Sequence, residues 1–205
     1  MIVPTEVSSE RALTGVKARR IVEAMRESVA EVGIADSTFE RVAAKAGVSR
    51  GLLHYYFGTK ERLLVEVVRR DSRARMEMLD APLRQAKTVD EVIGALAAGA
   101  QALAREHPGF YAVLFELFVA GRRHPDLGRE LGVLYDESRR HVAEALRRKE
   151  GEGVLSLRFD AETTVACLFA LTDGAVLQQL SDPTADLGGL VESATEVARF
   201  LLDAS

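Results

Sequence analysis

Cysteine is nearly absent from this chain of 205 residues, which contains only Cys167. A single cysteine excludes an internal disulfide and is typical of a protein from a reducing compartment. The sequence also lacks an apolar run of transmembrane length, and Met1 to Ala12 lack the apolar centre of a signal peptide. We therefore expect a cytoplasmic protein with no membrane partner.

The signatures of catalytic and metal sites are also missing. The four histidines, at positions 54, 107, 124 and 141, do not have the short spacing of metal ligands. No nucleophile elbow, phosphate-cradling glycine loop or pair of catalytic acids stands out. The sequence therefore predicts no enzyme activity, no metal and no cofactor.

Strand patterns, repeats and low-complexity tracts are absent as well, whereas apolar residues recur at three- and four-residue steps along most of the chain. Hydrophobic residues make up 47% and charged residues 28%, as in globular proteins. We predict an all-α fold of about nine helices, a three-helix head on a larger helical bundle.

Acidic residues are missing from one stretch, residues 41–60, which contains Arg41, Lys45, Arg50 and Lys60. Through Lys60 the chain has nine basic and seven acidic residues, against eighteen and twenty-four in the remainder. The net charge of -4 thus hides a basic N-terminal third, for which a polyanion is the natural partner. The alternative is a solvated basic face with tyrosines in the core.

The same region has the local signals of a helix-turn-helix. Ser37 and Glu40 have the spacing of a capping box, so we expect a helix to begin there. Gly47 is predicted to end this helix, and Ser49 to cap a second one. The second helix of such a motif can lie in a DNA major groove.

This stretch resembles the TetR family of transcription regulators. The resemblance runs from Val42 to Gly51 and continues through Leu53, Tyr56-Phe57 and the run from Lys60 to Leu64. It implies that the helix after the Ala-Gly-Val-Ser turn enters the major groove, and that Lys60 holds a phosphate. Leu52 and His54 depart from the usual pattern, where a small residue and a tyrosine are commonest.

We predict that this head binds a double-stranded DNA operator. Arg50 is the candidate for a base-edge contact, and His54 also faces the groove. Tyr55, Tyr56 and Lys60 are expected to hold phosphates, and Thr38 to donate from the preceding helix start. The first helix begins with Lys17, Arg19 and Arg20, for which phosphate contact and simple solvation are both open. The predicted contact set is Thr38, Ser49, Arg50, Gly51, Leu52, His54, Tyr55, Tyr56 and Lys60.

Further helices are predicted after the head. One runs from Thr59 to about Leu79 and ends at Asp80-Ala81-Pro82, and another begins at the capping box from Thr88 to Glu91. Pro125 opens a helix to about Lys149, where Arg147, Arg148 and Lys149 form a solvated face. Asp160 is predicted to cap the next helix. The last two helices, about 160–181 and 186–202, are too apolar for one buried face, so we expect them to form a homodimer interface.

A second functional region is expected in the bundle. Residues 109–121 are apolar on nearly all sides, so this helix should be buried on nearly all sides and is a candidate cavity wall, with plain core packing as the alternative. Glu116 and Asp173 lie in apolar surroundings and are interpreted as effector contacts or structural acceptors. Cys167 lies in an apolar stripe, where a buried thiol is usually inert. The candidate set is Phe110, Tyr111, Leu114, Phe115, Glu116, Phe118, Cys167 and Asp173.

The region from Glu116-Leu117-Phe118 to Asp173-Gly174 also resembles a BetI-like branch of the TetR family. Together these features predict a ligand-responsive repressor that binds a pseudo-palindromic operator as a homodimer and is released by a small apolar or amphipathic effector. The expected organisation is a disordered lead-in (1–12), a helix-turn-helix domain (13–60) and a ligand-binding and dimerisation domain (61–205). The alternatives are a helical protein-interaction module with a head that does not bind DNA and, less favoured, an enzyme of small apolar substrates.

Overall fold

The fold is all-α, as predicted from the sequence. The computed structural model describes residues 15–107, 109–182 and 184–204, and the predicted lead-in lies outside these ranges. In the described part, one isolated bridge joins Ser156 and Asp203. The nine helices of these residues are α1 (Val16–Asp36), α2 (Phe39–Ala46), α3 (Arg50–Phe57), α4 (Lys60–Gln85), α5 (Val89–Glu106), α6 (Phe110–Gly121), α7 (Pro125–Gly151), α8 (Ala161–Ser181) and α9 (Gly188–Leu202).

The helices form two compact units. The first unit contains the described residues up to 71 together with 107–131, and the second contains 72–106 and the described residues from 132 onward. Helix α4 contributes to both units, with the division after Asp71. Helix α6 therefore belongs to the same unit as the three helices of the head.

The head is held together by α1, which packs against α2, and by α2, which packs against α3. Ile21, Met25, Val42 and Leu53 are fully buried on these helices. Each Å2 of apolar surface that is buried contributes about 25 cal/mol to stability. Such side chains are therefore the main source of the head's stability. Helix α1 is kinked at Gly33, whose φ of 78° is the left-handed geometry that favours glycine.

The predicted capping box at Ser37 is wrong by one residue. Thr38 is the N-cap of α2, and its Oγ1 accepts a hydrogen bond from the Arg41 amide at 3.3 Å. Ser37 is instead buried, and its Oγ donates to the Gly33 carbonyl at 2.7 Å and lies 2.8 Å from the Ser28 hydroxyl. The kink at Gly33 leaves a carbonyl that Ser37 satisfies, so this serine is used inside the head.

The predicted end of the fourth helix at Pro82 is also wrong, because α4 continues through Pro82 to Gln85. A proline inside a helix removes one backbone hydrogen bond. Leu79 and Leu83, one helical turn apart, are 1% and 2% exposed and keep the helix packed on both sides of Pro82. Their burial offsets the loss of that hydrogen bond.

The second unit has its own hydrophobic core. Helix α9 packs against α5 and α8, and α8 begins at Asp160, whose Oδ1 accepts from the Thr163 amide at 2.9 Å as predicted. This hydrogen bond and that from the Thr163 hydroxyl lower the pKa of the Asp160 carboxyl. The core is formed by Met76, Leu79, Leu83, Ala86, Val92, Ile93, Val142, Ala143, Ala145, Leu146, Leu155, Ala161, Val165, Phe169, Ala198 and Leu202.

The prediction that Lys149 lies on a solvated face is wrong, because its side chain is buried in the second unit. Its Nζ donates to the carbonyl oxygens of Arg84 at 2.8 Å and Ala86 at 3.0 Å, and pairs with Glu152 at 2.7 Å. A cation at the C-terminal end of α4 satisfies carbonyls that the helix itself leaves open. Lys149 therefore caps α4 from α7.

None of the described helices is both long enough and apolar enough to cross a bilayer.

Candidate nucleic-acid interface

The turn between α2 and α3 is built on Gly47. Its φ of 62° and ψ of 42° lie in the left-handed region, as the sequence predicts. The amides of Gly47 and Val48 donate to Ala44 at 3.2 Å and Ala43 at 3.0 Å, which satisfies the last carbonyls of α2. Ser49, the N-cap of α3, then starts a new helix in a new direction.

Helix α3 has one buried and one exposed face. Leu53 and Phe57 are buried, as expected for the core side of the helix. Tyr55, one of the predicted contact residues, lies on the remaining surface and is 78% exposed. Among the others, Thr38, Ser49, Arg50, Gly51 and His54 are exposed, whereas Leu52, Tyr56 and Lys60 are half-buried.

Arg50, the predicted base-reading residue, forms an ion pair with Glu40 on α2. Glu40 was assigned to a capping box by its spacing, and the structure shows that its carboxylate instead lies beside α3. A DNA complex that uses Arg50 must therefore compete with this carboxylate. Both side chains are exposed, so water and salt weaken the pair.

Lys45 is also paired, although the stretch 41–60 contains no acidic residue. Its Nζ lies 2.8 Å from Glu31 and 3.1 Å from Glu27, both on α1. The hydrogen bonds to Glu31 and then Glu27 raise the pKa of the Lys45 ammonium. The fold thus brings acidic side chains from outside the basic stretch against two of its four cations.

Two further cations of the head cap helix ends. Lys60 Nζ donates to the carbonyl of Ile34 and to that of Ala35 at 3.2 Å, at the C-terminal end of α1. Arg20 Nη2 donates to the Ala46 carbonyl at 2.7 Å, at the end of α2. The sequence predicts a phosphate contact for Lys60 and leaves phosphate contact and simple solvation both open for Arg20. Both residues have backbone partners in the protein alone.

The His54 side chain contacts other residues of the head. Its ring lies edge-on to Phe39, with 4.8 Å between ring centroids, and its Nδ1 is 3.1 Å from the Gly58 carbonyl. The next two residues also form an aromatic pair, with 5.3 Å between the Tyr55 and Tyr56 centroids. These ring contacts restrict the side-chain orientations on the exposed face of α3.

The candidate effector residues of α6 are in the first unit, and only one face of the helix is covered. Phe110, Tyr111 and Leu114 are buried, whereas Phe115 and Phe118 are half-buried. The Phe110 and Tyr111 rings pack edge-on at 5.1 Å. The expectation of burial on nearly all sides is wrong, since Glu116 is exposed and Val119 is 65% exposed. The high apolar content of α6 does not indicate which of its faces other helices cover.

The other two candidates lie on α8 in the second unit. Cys167 is exposed, so the expectation of a buried thiol is wrong. Its neighbours along the chain are apolar, but helical rotation turns the Cys167 side chain outward. Asp173 is half-buried and accepts a hydrogen bond from the Tyr135 hydroxyl. Burial raises the pKa of the Asp173 carboxyl, against smaller lowering effects from Tyr135 and Arg75.

Asp173 belongs to a polar and aromatic cluster that the sequence did not reveal. The Tyr135 and Phe169 rings meet edge-on at 5.6 Å. The guanidinium carbon of Arg75 lies 5.4 Å from the Phe169 centroid, and that of Arg139 lies 5.3 Å from the Tyr135 centroid. These residues come from α4, α7 and α8, so local spacing groups only Tyr135 with Arg139 and Phe169 with Asp173, each pair one helical turn apart.

In the described ranges, no group of three or more His, Cys, Asp or Glu side chains has the arrangement of a metal site. The features present are instead an exposed second helix of a helix-turn-helix and a helical bundle that follows it. This combination defines a helix-turn-helix transcription regulator.

Comparison with known proteins assigns the family. Residues 21–67 match the family model described as bacterial regulatory proteins, tetR family. Residues 87–204 match the model described as Tetracyclin repressor-like, C-terminal domain. The chain belongs to the TetR family of transcription regulators, which confirms the resemblance, and it is not an enzyme.

Individual relatives agree with this assignment. The HTH-type transcriptional regulator BetI of Brucella canis is 25% identical over 186 residues, covering 82% of this chain and 94% of that protein. The solved multidrug binding protein EbrR, complexed with imidazole, is 26% identical with a TM-score of 0.67, covering 100% of this chain and 99% of that one. The transcriptional regulator FadR from Bacillus subtilis, solved with stearoyl-CoA, is 21% identical with a TM-score of 0.70, covering 88% and 96%.

Proposed function

We propose that this chain is a repressor that binds a pseudo-palindromic DNA operator as a homodimer and releases it when a small apolar or amphipathic effector binds. The observation that carries the proposal is the exposed face of α3, with Arg50 and Tyr55 outward, in a chain of the TetR family. A helix of this kind docks in the major groove, and two copies read two half-sites. We assign DNA binding to residues 13–60, and effector binding and dimerisation to 61–205.

Support for the homodimer comes from the last two helices. Leu177 and Leu180 on α8 are 58% and 47% exposed, and Val191 and Phe200 on α9 are 53% and 54% exposed. Apolar side chains that remain exposed on two packed helices favour a second copy as their partner. The same symmetry would present two α3 helices to a pseudo-palindromic site.

Support for the effector comes from two groups of residues, each within its own unit. The α6 aromatics of the first unit are apolar, and the Asp173 cluster of the second is aromatic with a half-buried carboxylate. Relatives of this fold were solved with molecules as different as imidazole and stearoyl-CoA. An effector releases DNA only if it binds the DNA-free conformation more tightly than the DNA-bound one. We place the protein in the cytoplasm, where its DNA partner and a reduced Cys167 are expected.

Selection of duplexes from a randomised library tests the proposal. We expect enrichment of a site with two-fold symmetry, one protein dimer per pair of half-sites, and a dissociation constant that rises steeply with salt. Arg50→Ala should lose most at one base position of each half-site, whereas Tyr55→Phe should weaken all duplexes alike. Absence of any enriched duplex would favour the protein-interaction module instead.

A further inference from the structure

A buried carboxylate in the first unit has two basic neighbours. Asp71 on α4 is 1% exposed, and Arg26 Nη2 donates to its Oδ1 at 2.5 Å. His107 Nδ1 lies 3.7 Å from the same oxygen. Among the described residues this buried Nδ1 has no hydrogen-bond partner, so it faces Asp71 just beyond hydrogen-bonding distance.

The two neighbours of Asp71 come from elements with different roles. Arg26 is on α1, the first helix of the head, where it also pairs with Glu23 at 2.5 Å. His107 lies in the turn before α6, and its carbonyl accepts from the Phe110 amide at 2.9 Å. One carboxylate therefore contacts the head and the entry to the helix that carries the apolar effector candidates.

Packing reinforces this connection. Gly109, in the same turn as His107, lies so close to α1 that a Cβ added to it would be 3.2 Å from Cγ1 of Val29. Since that distance is tighter than ordinary van der Waals contact, the turn has little room to move without moving α1. Asp71 and Gly109 thus join the turn to α1 by a polar and an apolar contact.

The environment of Asp71 disfavours its charged form. Burial raises the pKa of its carboxyl and Glu23 raises it further, whereas Arg26 and His107 lower it, and the pKa is raised overall. Burial of a carboxylate costs free energy that its ion pair with Arg26 must offset. Groups held at such a cost are frequent at functional sites.

We propose that Asp71 is a positioning residue that links the turn before α6 to α1, so that a displacement of α6 changes the position of the DNA-binding head. This link rests on the proposed DNA-binding function. The link connects α6 to the head through residues of the first unit alone. The carboxylate holds Arg26 of α1 and faces His107 of the turn, so movement of the turn changes the surroundings of the carboxylate and how strongly Arg26 is held.

A double-mutant cycle tests the link without knowledge of the effector. The probe is the duplex enriched from the randomised library, and the variants are His107→Gln, Asp71→Asn and both together. We expect His107→Gln to change the dissociation constant at least about two-fold in the wild-type background and not in the Asp71→Asn background. Unfolding midpoints of all variants are measured as well, because a merely structural role would change the midpoints and leave the effect of His107→Gln on DNA binding equal in both backgrounds.

The matched control is Glu130→Gln, which removes another acid of the first unit. Glu130 pairs with Arg69 at 2.6 Å, and this pair contains no residue of α1. Its effect should add to that of His107→Gln. Should Asp71→Asn fold poorly, Arg26→Gln with His107→Gln gives a second cycle, which should also be non-additive. Additive cycles in a protein that binds the duplex overturn the role of Asp71 alone, whereas a wild-type protein that binds no duplex overturns the proposed function.

Discussion

Lys149 and Ala86 are joined by a buried hydrogen bond of 3.0 Å from the ammonium to the backbone oxygen. Arg20 and Lys60 make the same kind of bond in the head, to Ala46 and to Ala35. In each case a cation satisfies carbonyls at the end of a helix, where the helix dipole also favours positive charge. Basic residues that appear in the sequence as surface charges are thus part of the packing between helices.

Lys149→Met is expected to destabilise the second unit. The substitution leaves the carbonyls of Arg84 and Ala86 without their donor, and hydrogen bonds to charged groups contribute about 1.5 to 3 kcal/mol each. We expect the free energy of unfolding to fall by about 2 kcal/mol or more, measured by urea unfolding followed by circular dichroism. The exposed Lys87→Met is the control and should be nearly neutral. Equal stabilities of the two variants would contradict the capping role.

Lys60→Met should lower stability even when no DNA is present. The Lys60 side chain bonds the carbonyls of Ile34 and Ala35, so its loss should reduce the free energy of unfolding by about 1 kcal/mol. A lysine that served only phosphate would leave the unfolding curve unchanged. Thermal unfolding of the DNA-free protein checks this, with the exposed Lys17→Met as the control.

Glu40→Gln is expected to tighten binding to non-operator DNA. The change frees the Arg50 guanidinium and removes a negative charge beside α3. Surface ion pairs contribute about 0.2 to 1 kcal/mol, so an increase in affinity of up to about five-fold is expected. Asp126→Asn changes the net charge equally but affects a carboxylate paired with Arg129 on the same helix α7, so it serves as the control. Fluorescence anisotropy with a random duplex measures both, and identical affinities would show that Glu40 does not restrain Arg50.

Asp173→Asn should change how stability depends on pH. Burial raises the pKa of Asp173, so its contribution to stability is full below the ordinary aspartate pKa of 3.8 and is lost as pH rises through the higher folded-state value. Asparagine does not titrate. The free energy of unfolding of the variant, relative to wild type, should therefore increase between about pH 4 and pH 7. Urea unfolding at several pH values tests this, and parallel profiles for the two proteins would contradict it.

Leu177→Glu is expected to disrupt the homodimer. Leu177 is 58% exposed in the single chain, and a carboxylate at a paired apolar surface carries a large desolvation cost. Light scattering should report about twice the chain mass of 22.4 kDa for wild type and one chain for the variant. Val133→Glu on α7, at a residue that is 57% exposed, should remain dimeric. A wild-type monomer at micromolar concentration would count against the proposed interface.

Local features of this fold could be predicted from the sequence. The left-handed turn at Gly47 and the Asp160 cap depend on residues within a few positions, and both were found as expected. The helix content and the order of the helices follow from the spacing of apolar residues. This spacing is periodic wherever one face of a helix is buried. The prediction of a cap at Ser37 was wrong because two adjacent residues, Ser37 and Thr38, both suit a cap. Only the packing of the kinked α1 decides between them.

Long-range partners could not be predicted in the same way. Glu31 is 14 residues from Lys45, and Arg84 is 65 residues from Lys149. Tertiary packing brings such residues together, and periodicity carries no information about which faces meet. An acid-free stretch of sequence is therefore a poor measure of local charge in the folded head. The DNA contacts and the effector contacts remain predictions.

The position of Cys167 allows subunit association to be measured in the native protein. It is the single thiol of the chain and is exposed on α8, the helix that also carries the exposed Leu177 and Leu180. Under the proposed pairing of α8, a thiol-reactive reagent should modify the free chain rapidly and the assembled protein slowly. The rate of modification against protein concentration would then give the dissociation constant of the subunits, with no substitution or attached label.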